Sequence, residues 1–161
     1  MRSLVQEHVR SWGVNDIHIG CSGNFSIERF LGPLGYRMHG NDVSIYTCQL
    51  GKYLSGQFVD YTIRYESQDE LSWLEPFMET DADRIATLML GTTFLQYVGK
   101  SGAYFDRMLD GTRRQFPEMH AKTKAKVEAV SVKLESFHAM DVRDWLRTEV
   151  PGNGAVASFP P

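Results

Sequence analysis

The chain has 161 residues, of which 42% are hydrophobic and 23% are charged, and its formal net charge is -3. This composition is typical of a globular domain with its own core, and it excludes a uniformly basic protein that coats nucleic acid. No apolar run approaches the roughly 18 residues of a membrane span, and no signal peptide precedes the two cysteines. We therefore expect a soluble cytoplasmic protein with free thiols and no membrane partner.

The first part of the chain has the pattern of a parallel βαβ unit. A helical pattern ends at Gly13, and the short strand-like run NDIHIG follows it. A helix from Phe25, a second strand in YRMHGND and a helix in SIYTCQLGKYL come next. Strand, turn, helix, strand and helix within about 40 residues is the spacing of such a unit.

The middle of the chain is predicted to be helical. FVDYTIRY is strand-like, but four helices follow from Gln68 to about Leu134, with a joint between the last two at Pro117. The βαβ pattern then returns as a strand in SFHAM, a helix in DVRDWLRTEV and a last strand in AVASF. We predict an α/β domain with four parallel strands, divided into a first part over 1–66, a helical insert over 67–134 and a return to the sheet over 135–161.

Polar residues follow three of the predicted strands. The first strand runs into a turn with two glycines, Gly20 and Gly23, the second ends at Asp42, and Asp141 follows the third. These positions meet at the carboxyl edge of a parallel sheet, where open α/β sheets bind ligands. Asp42 lies about 20 residues beyond the glycines, as the ribose-binding acid of a nucleotide-binding unit does. Each residue taken alone is also explained as a helix cap.

The phosphate-binding motifs do not fit this turn. The chain lacks G-x-x-x-x-G-K-[ST], and its turn is not a full G-x-G-x-x-G. The expected ligand is therefore a nucleoside without a pyrophosphate, of which S-adenosylmethionine is the common example.

The order of these motifs resembles the DNA adenine methylase family, and more closely the phage and actinobacterial proteins described as antirestriction adenine methyltransferases. The resemblance covers essentially the whole chain, with Cys21 in place of the first family glycine. It implies a Rossmann-like S-adenosylmethionine-dependent methyltransferase fold and methylation of adenine N6 in double-stranded DNA, as in restriction protection. The cofactor-binding residues that it implies are Gly20, Cys21, Ser22, Gly23, Asn24, Phe25, Asp42, Val43, Asp141 and Val142.

The end of the chain resembles the catalytic strand end of that family, where an Asp, Asn or Ser precedes Pro-Pro and an aromatic residue. The matching catalytic positions are Ser158, Phe159, Pro160 and Pro161. Phe159 cannot accept a hydrogen bond from the adenine amine, and Ser158 comes one position early. The chain also ends before the aromatic residue that would stack on a flipped base. We therefore expect the N-terminal part of a larger enzyme, inactive alone, whose open sheet edge pairs with the missing part or with a second copy.

The helical insert lies where the family has its target-recognition region, and its second half is locally basic. The predicted DNA-binding residues are Arg107, Arg113, Arg114, Lys122 and Lys126. The alternative for these charges is a solvated helix face.

Other functions stay open at this point. Phe159 favours a non-catalytic antirestriction module that binds DNA or protein on a degenerate methyltransferase scaffold. An unrelated nucleotide-dependent enzyme and a cysteine–histidine pair through Cys21 are further alternatives. The histidines lack metal-ligand spacing with the cysteines, so the sequence predicts no metal site.

Overall fold

The computed structural model describes residues 2–61 and 71–158 of the chain. It divides into two compact units, one formed by Met1–Phe58 with Ser131–Pro161 and the other by Val59–Val130. We call these the sheet unit and the helical unit. The strands are β1 (Asp16–Gly20), β2 (Arg37–Asp42), β3 (Ser136–Ala139) and β4 (Ala155–Ser158). The α-helices are α1 (Arg2–Ser11), α2 (Ser26–Leu31), α3 (Ile45–Leu54), α4 (Asp81–Phe94), α5 (Ala103–Glu128) and α6 (Val142–Thr148).

The sheet unit contains a four-stranded sheet in the order β3-β2-β1-β4, and each pair of neighbouring strands is parallel. This confirms the predicted parallel α/β sheet. Because β4 returns on the far side of β1, the strand order reverses at β1, and open α/β sheets commonly bind ligands at the carboxyl ends of strands at such a point. Among the described residues β4 pairs only with β1. Pairing of its other side with a further segment or a second copy stays a prediction.

The core of the sheet unit depends on one close contact between helix and sheet. A Cβ atom on Gly51 of α3 would lie 2.3 Å from the ring of Phe137 on β3, which is far inside van der Waals contact. Only glycine lets the helix backbone rest directly on this ring. Ile17 and Ile19 of β1 are buried as well, as expected for a parallel strand covered on both faces.

The helical unit is built around α4 and α5. Thr80 and Asp83 form a capping box at the start of α4, because each side chain bonds the backbone amide of the other residue. Ile85 and Ala86 of α4 are fully buried, so this helix lies at the centre of the helical unit's core. Aromatic and leucine side chains fill the rest of the core, among them Phe116 of α5.

Two predictions in this region were wrong. Residues 58–61 of FVDYTIRY form no strand, because the Tyr61 hydroxyl and the Val59 carbonyl bond Arg84 of the neighbouring α4 instead of a sheet; residues 62–65 lie outside the described residues. The predicted joint at Pro117 is also absent, and α5 runs through it as one helix of 26 residues. The buried side chains of Phe116 and His120, one turn apart, hold both halves of α5 on the same core.

The helical insert also ends earlier than predicted. Helix α5 stops at Glu128, and residues 130–134 are irregular. The Leu134 amide bonds the Leu54 carbonyl at 3.0 Å and the Glu135 amide bonds the Met38 carbonyl at 2.8 Å, so this segment already belongs to the sheet unit. The predicted division at 66/67 falls within 62–70, outside the described residues, and stays a prediction.

No helix in the described parts of the chain is both long enough and apolar enough to cross a membrane.

Candidate cofactor site

The candidate site lies where β1 and β2 end side by side. Gly20 at the end of β1 pairs in register with Asn41, and Asp42 is the last residue of β2. Residues 20–25, which we call the glycine loop, follow β1 and lead into α2. The predicted positions of this edge are therefore neighbours in space.

The glycine loop has an unusual backbone. Cys21, Gly23 and Phe25 have φ angles of 59°, 53° and 54°, in the left-handed region that glycine adopts most readily. Cys21, which stands in place of a glycine of the resembled family, thus has a backbone conformation that glycine adopts most readily. The Ser22 amide bonds the Asn41 carbonyl at 2.9 Å, and the fully buried Phe25 ring anchors the far end of the loop. Left-handed non-glycine residues persist only where surrounding contacts hold them.

Asp42 organises this loop from the end of β2. Its Oδ2 accepts the Gly23 amide at 2.8 Å, and its Oδ1 accepts the amides of Val43 and Ser44, both at 2.8 Å. A carboxylate offers about four acceptor positions. With three of them occupied, Asp42 retains capacity for about one further donor, such as a ribose hydroxyl.

Side chains at the start of α3 contact both the glycine loop and the end of β2. The Thr47 hydroxyl donates to the Gly23 carbonyl at 3.0 Å, and the Cys48 thiol contacts the Asp42 carbonyl at 3.3 Å. Burial raises the pKa of the Cys48 thiol, and the Asp42 charge raises it further, so this thiol stays neutral. Beside Asp42, the apolar side chains of Val43 and Ile45 are 69% and 59% exposed. They leave an apolar surface next to a hydrogen-bond acceptor.

The end of β3 meets this edge through Asn41. The buried Asn41 amide donates to the carbonyls of His138 and Met140, at 3.0 and 2.8 Å. Asp141 follows and caps α6, because its carboxylate accepts the Arg143 amide at 2.8 Å. Asp141 itself is exposed, so its second oxygen faces solvent at the carboxyl edge.

The predicted catalytic strand end also reaches this edge. Ser158, the last residue of β4, is in register with Gly20. A Cβ atom on Gly20 would lie 3.2 Å from the Ser158 hydroxyl and 3.0 Å from the Val142 side chain. Gly20 therefore allows these two predicted residues to approach β1. Phe159, Pro160 and Pro161 lie outside the described residues.

The predicted DNA-binding residues all lie on α5 of the helical unit, and all of them are exposed. Arg107, Arg114, Lys122 and Lys126 fall within about 120° of one another around the helix axis, and Arg107 and Arg114 lie opposite the buried Phe116. Lys122 forms an ion pair of 2.6 Å with Glu118. Arg113 lies about 100° further round and stacks over the ring of Trp73, 5.5 Å from its centroid.

Sequence reasoning missed two residues of the site. Asn41 joins the strand ends, and Glu28 of α2 is completely buried beside the glycine loop. Phe25, Glu28 and Leu31 are the buried residues of this segment and repeat every three positions. That spacing could have placed the Glu28 carboxyl on the core side of α2.

These features define a parallel α/β protein with a candidate ligand-binding corner at the carboxyl edge of its sheet. Over residues 1–161 the chain matches the family model described as Phage DNA Adenine Methylase-like domain 1, and it belongs to that family. The resemblance noted in the sequence is thereby confirmed. No curated protein and no solved structure matches the chain. Within the described residues, no group of three or more His, Cys, Asp or Glu side chains could hold a metal ion.

Proposed function

We propose that this chain binds S-adenosylmethionine at the corner formed by the glycine loop and Asp42, and that it methylates adenine N6 in DNA. The observation that carries the proposal is the Asp42 carboxylate, held by three backbone amides, with an acceptor position left and exposed apolar side chains beside it. A ribose hydroxyl and a flat adenine ring need that combination. The strand order and the family of the chain support the same reading.

The residues at this corner fit the ribose and the adenine ring of the proposed cofactor. Since Asp42 retains about one acceptor position, we expect it to bind one ribose hydroxyl rather than two. Val43 and Ile45 would pack on the adenine ring, and exposed Asp141 would accept a hydrogen bond from the same ring. The bound cofactor supplies an electrophilic methyl group on a sulfonium.

The chain's own contribution to transfer is orientation of the target amine. The Ser158 hydroxyl is an acceptor beside Gly20 and would orient the adenine amine, as polar groups at such a strand end do in the resembled family. The amine nitrogen attacks the methyl carbon, the sulfur–carbon bond breaks with its electron pair going to sulfur, and the amine then gives a proton to water.

Calorimetry of the full chain with S-adenosylmethionine tests the cofactor site. We expect wild type to bind and Asp42→Ala to bind roughly tenfold to a hundredfold more weakly, because a charged acceptor is removed. Asp144→Ala is the matched control, since this exposed carboxylate of α6 pairs with Arg147. Absence of binding by wild type, or equal affinity in Asp42→Ala, would overturn the proposal.

Phe159 favours a second candidate, a non-catalytic antirestriction module that binds without methylating. Transfer of labelled methyl groups to adenine in duplex DNA separates the two. We expect Ser158→Ala to slow this transfer and to leave cofactor affinity unchanged. Transfer by wild type would exclude the module.

DNA binding is proposed for the face of α5 that carries Arg107, Arg114 and Lys126. Replacing these three residues with alanine should weaken duplex binding and flatten its salt dependence, by about 0.9 in the log–log slope for each phosphate that is no longer neutralised. Arg113→Ala is tested separately on the same helix; because its guanidinium stacks on Trp73, we expect it to weaken binding less than the triple variant does. Equal affinity of the triple variant and wild type at low salt would exclude this face.

A further inference from the structure

Glu28 is a buried carboxyl group without a clear structural role. Its side chain is 0% exposed, and neither carboxylate oxygen has a hydrogen-bond partner within the described residues. Most buried polar atoms in folded proteins are hydrogen-bonded, and an unpaired buried charge is strongly unfavourable. A carboxyl group in this position therefore needs a proton or a nearby positive charge.

The groups that act on Glu28 belong to the candidate cofactor site. Burial raises the pKa of Glu28 from 4.5 to about 7. The Ser22 hydroxyl of the glycine loop and the Glu28 backbone lie near the carboxyl and lower this pKa, although neither meets the geometry of a hydrogen bond to it. The Asp42 charge at the end of β2 raises this pKa, and Arg29 on the same helix lowers it. Near neutral pH the carboxyl is thus balanced between its two forms, and one added charge decides between them.

This inference rests on the proposed function, in which the added charge is that of the bound ligand. S-adenosylmethionine carries a sulfonium cation, and the product S-adenosylhomocysteine has an uncharged thioether in its place. A cation bound near a carboxyl favours the ionised form, and an uncharged group does not. Glu28 is fully enclosed, so it acts through the field across the glycine loop rather than by touching the ligand.

We propose that Glu28 is a positioning residue that gives up its proton when the cationic methyl donor binds and keeps it when the uncharged product is bound. The site then holds donor more tightly than product as the pH rises through neutrality. This difference helps the product to leave after each methyl transfer.

Calorimetry of the full chain at about pH 7, in two buffers with different ionisation enthalpies, measures the protons released. We expect donor binding by wild type to release more protons than product binding does. The sulfonium lowers the pKa of the donor's own α-amino group, so the ligands' contribution to proton release is measured with Glu28→Gln and subtracted. Donor affinity should rise roughly tenfold between about pH 6 and pH 8, as expected for unit charges several Å apart inside a protein.

Glu28→Gln keeps the size of the side chain and removes its titration. We expect this variant to keep only the ligands' own contribution to proton release and to lose the pH-dependent gain in donor affinity. Glu135→Gln, at an exposed position of the same unit, is the control and should behave as wild type. Equal proton release on donor binding by wild type and by Glu28→Gln would overturn the role of Glu28. Wild type that binds neither ligand would overturn the proposed function, and this inference with it.

Discussion

The sheet unit and the helical unit differ in whether their buried polar side chains have hydrogen-bond partners. All buried side-chain atoms without a hydrogen-bond partner among the described residues lie in the sheet unit, on His18, Glu28, Asn41 and Trp145. In the helical unit, the buried Asp83 carboxylate bonds Lys124 and the backbone and hydroxyl of its capping partner. Unsatisfied buried groups are costly and collect where function requires them.

The difference separates polar groups that stabilise from polar groups that are available for binding. Burial alone would raise the pKa of Asp83, but hydrogen bonds from Lys124 and Thr80 outweigh it and hold this pKa below its usual value. Burial raises the pKa of Glu28 with little opposition. The helical unit thus gains stability from its buried carboxylate, and the sheet unit loses stability to its own.

Glu28→Gln should have the largest effect on stability, and it should raise the free energy of unfolding. A rise in pKa from 4.5 to about 7 corresponds to about 3 kcal/mol of lost stability once the carboxyl ionises. Since the folded protein binds the extra proton, the stabilising contribution of Glu28 is fully present below about pH 4.5 and is lost up to about pH 8. Chemical denaturation at several pH values should show Glu28→Gln more stable than wild type at about pH 8 and equal to it near pH 4.5.

Asp83→Ala should lower the free energy of unfolding, by a somewhat smaller amount. It removes the Lys124 ion pair and the capping box of α4, and we expect a loss of about 2 kcal/mol in the free energy of unfolding. Asp81→Ala, two residues earlier, removes only a longer contact of 3.6 Å with Arg84 and should cost less than about 1 kcal/mol. If both variants lose the same stability, the partnered carboxylate is not what stabilises the helical unit.

Much of the sheet could be predicted from sequence, because short apolar strands and glycine turns are local signals. The runs around Ile17, Met38 and Phe137 all became parallel strands, and Asp42 ended its strand as expected. The continuous helix through Pro117 could not be predicted, because its two halves are joined by burial against residues distant in sequence. The prediction of a strand around Val59 was wrong for the same reason, because the partner of Val59, Arg84, lies 25 positions away.

The candidate site was predicted only in part. Gly23 and Asp42 form the motif and are in direct contact, so local spacing was enough to place them together. Glu28 and Asn41 lie outside that motif, and their burial depends on how α2 and β3 pack against the sheet. The spacing of Phe25, Glu28 and Leu31 indicates that Glu28 faces the core, but no single-sequence pattern reports that its carboxyl lacks a hydrogen-bond partner there.

The smallest expected effect on stability is that of replacing His18, which lies in the middle of β1. His18 is 6% exposed and stacks on His39 with ring centroids 4.6 Å apart. Burial lowers the pKa of His18 from 6.5, the charges of His39 and His138 lower it further, and Asp16 raises it. The folded state therefore binds fewer protons than the unfolded state, so this group's contribution is present above about pH 6.5 and is lost as the pH falls.

His18→Phe keeps a ring for stacking and removes this titration, so its stability should fall less steeply than that of wild type between about pH 7 and pH 5. Denaturation midpoints over this range measure the two slopes, and Glu28 contributes equally to both. His8→Phe, at an exposed position of α1, should leave the slope as in wild type. Equal slopes for wild type and His18→Phe would mean that the unpartnered histidine carries no pH-dependent cost, and the contrast between the two units would then rest on Glu28 alone.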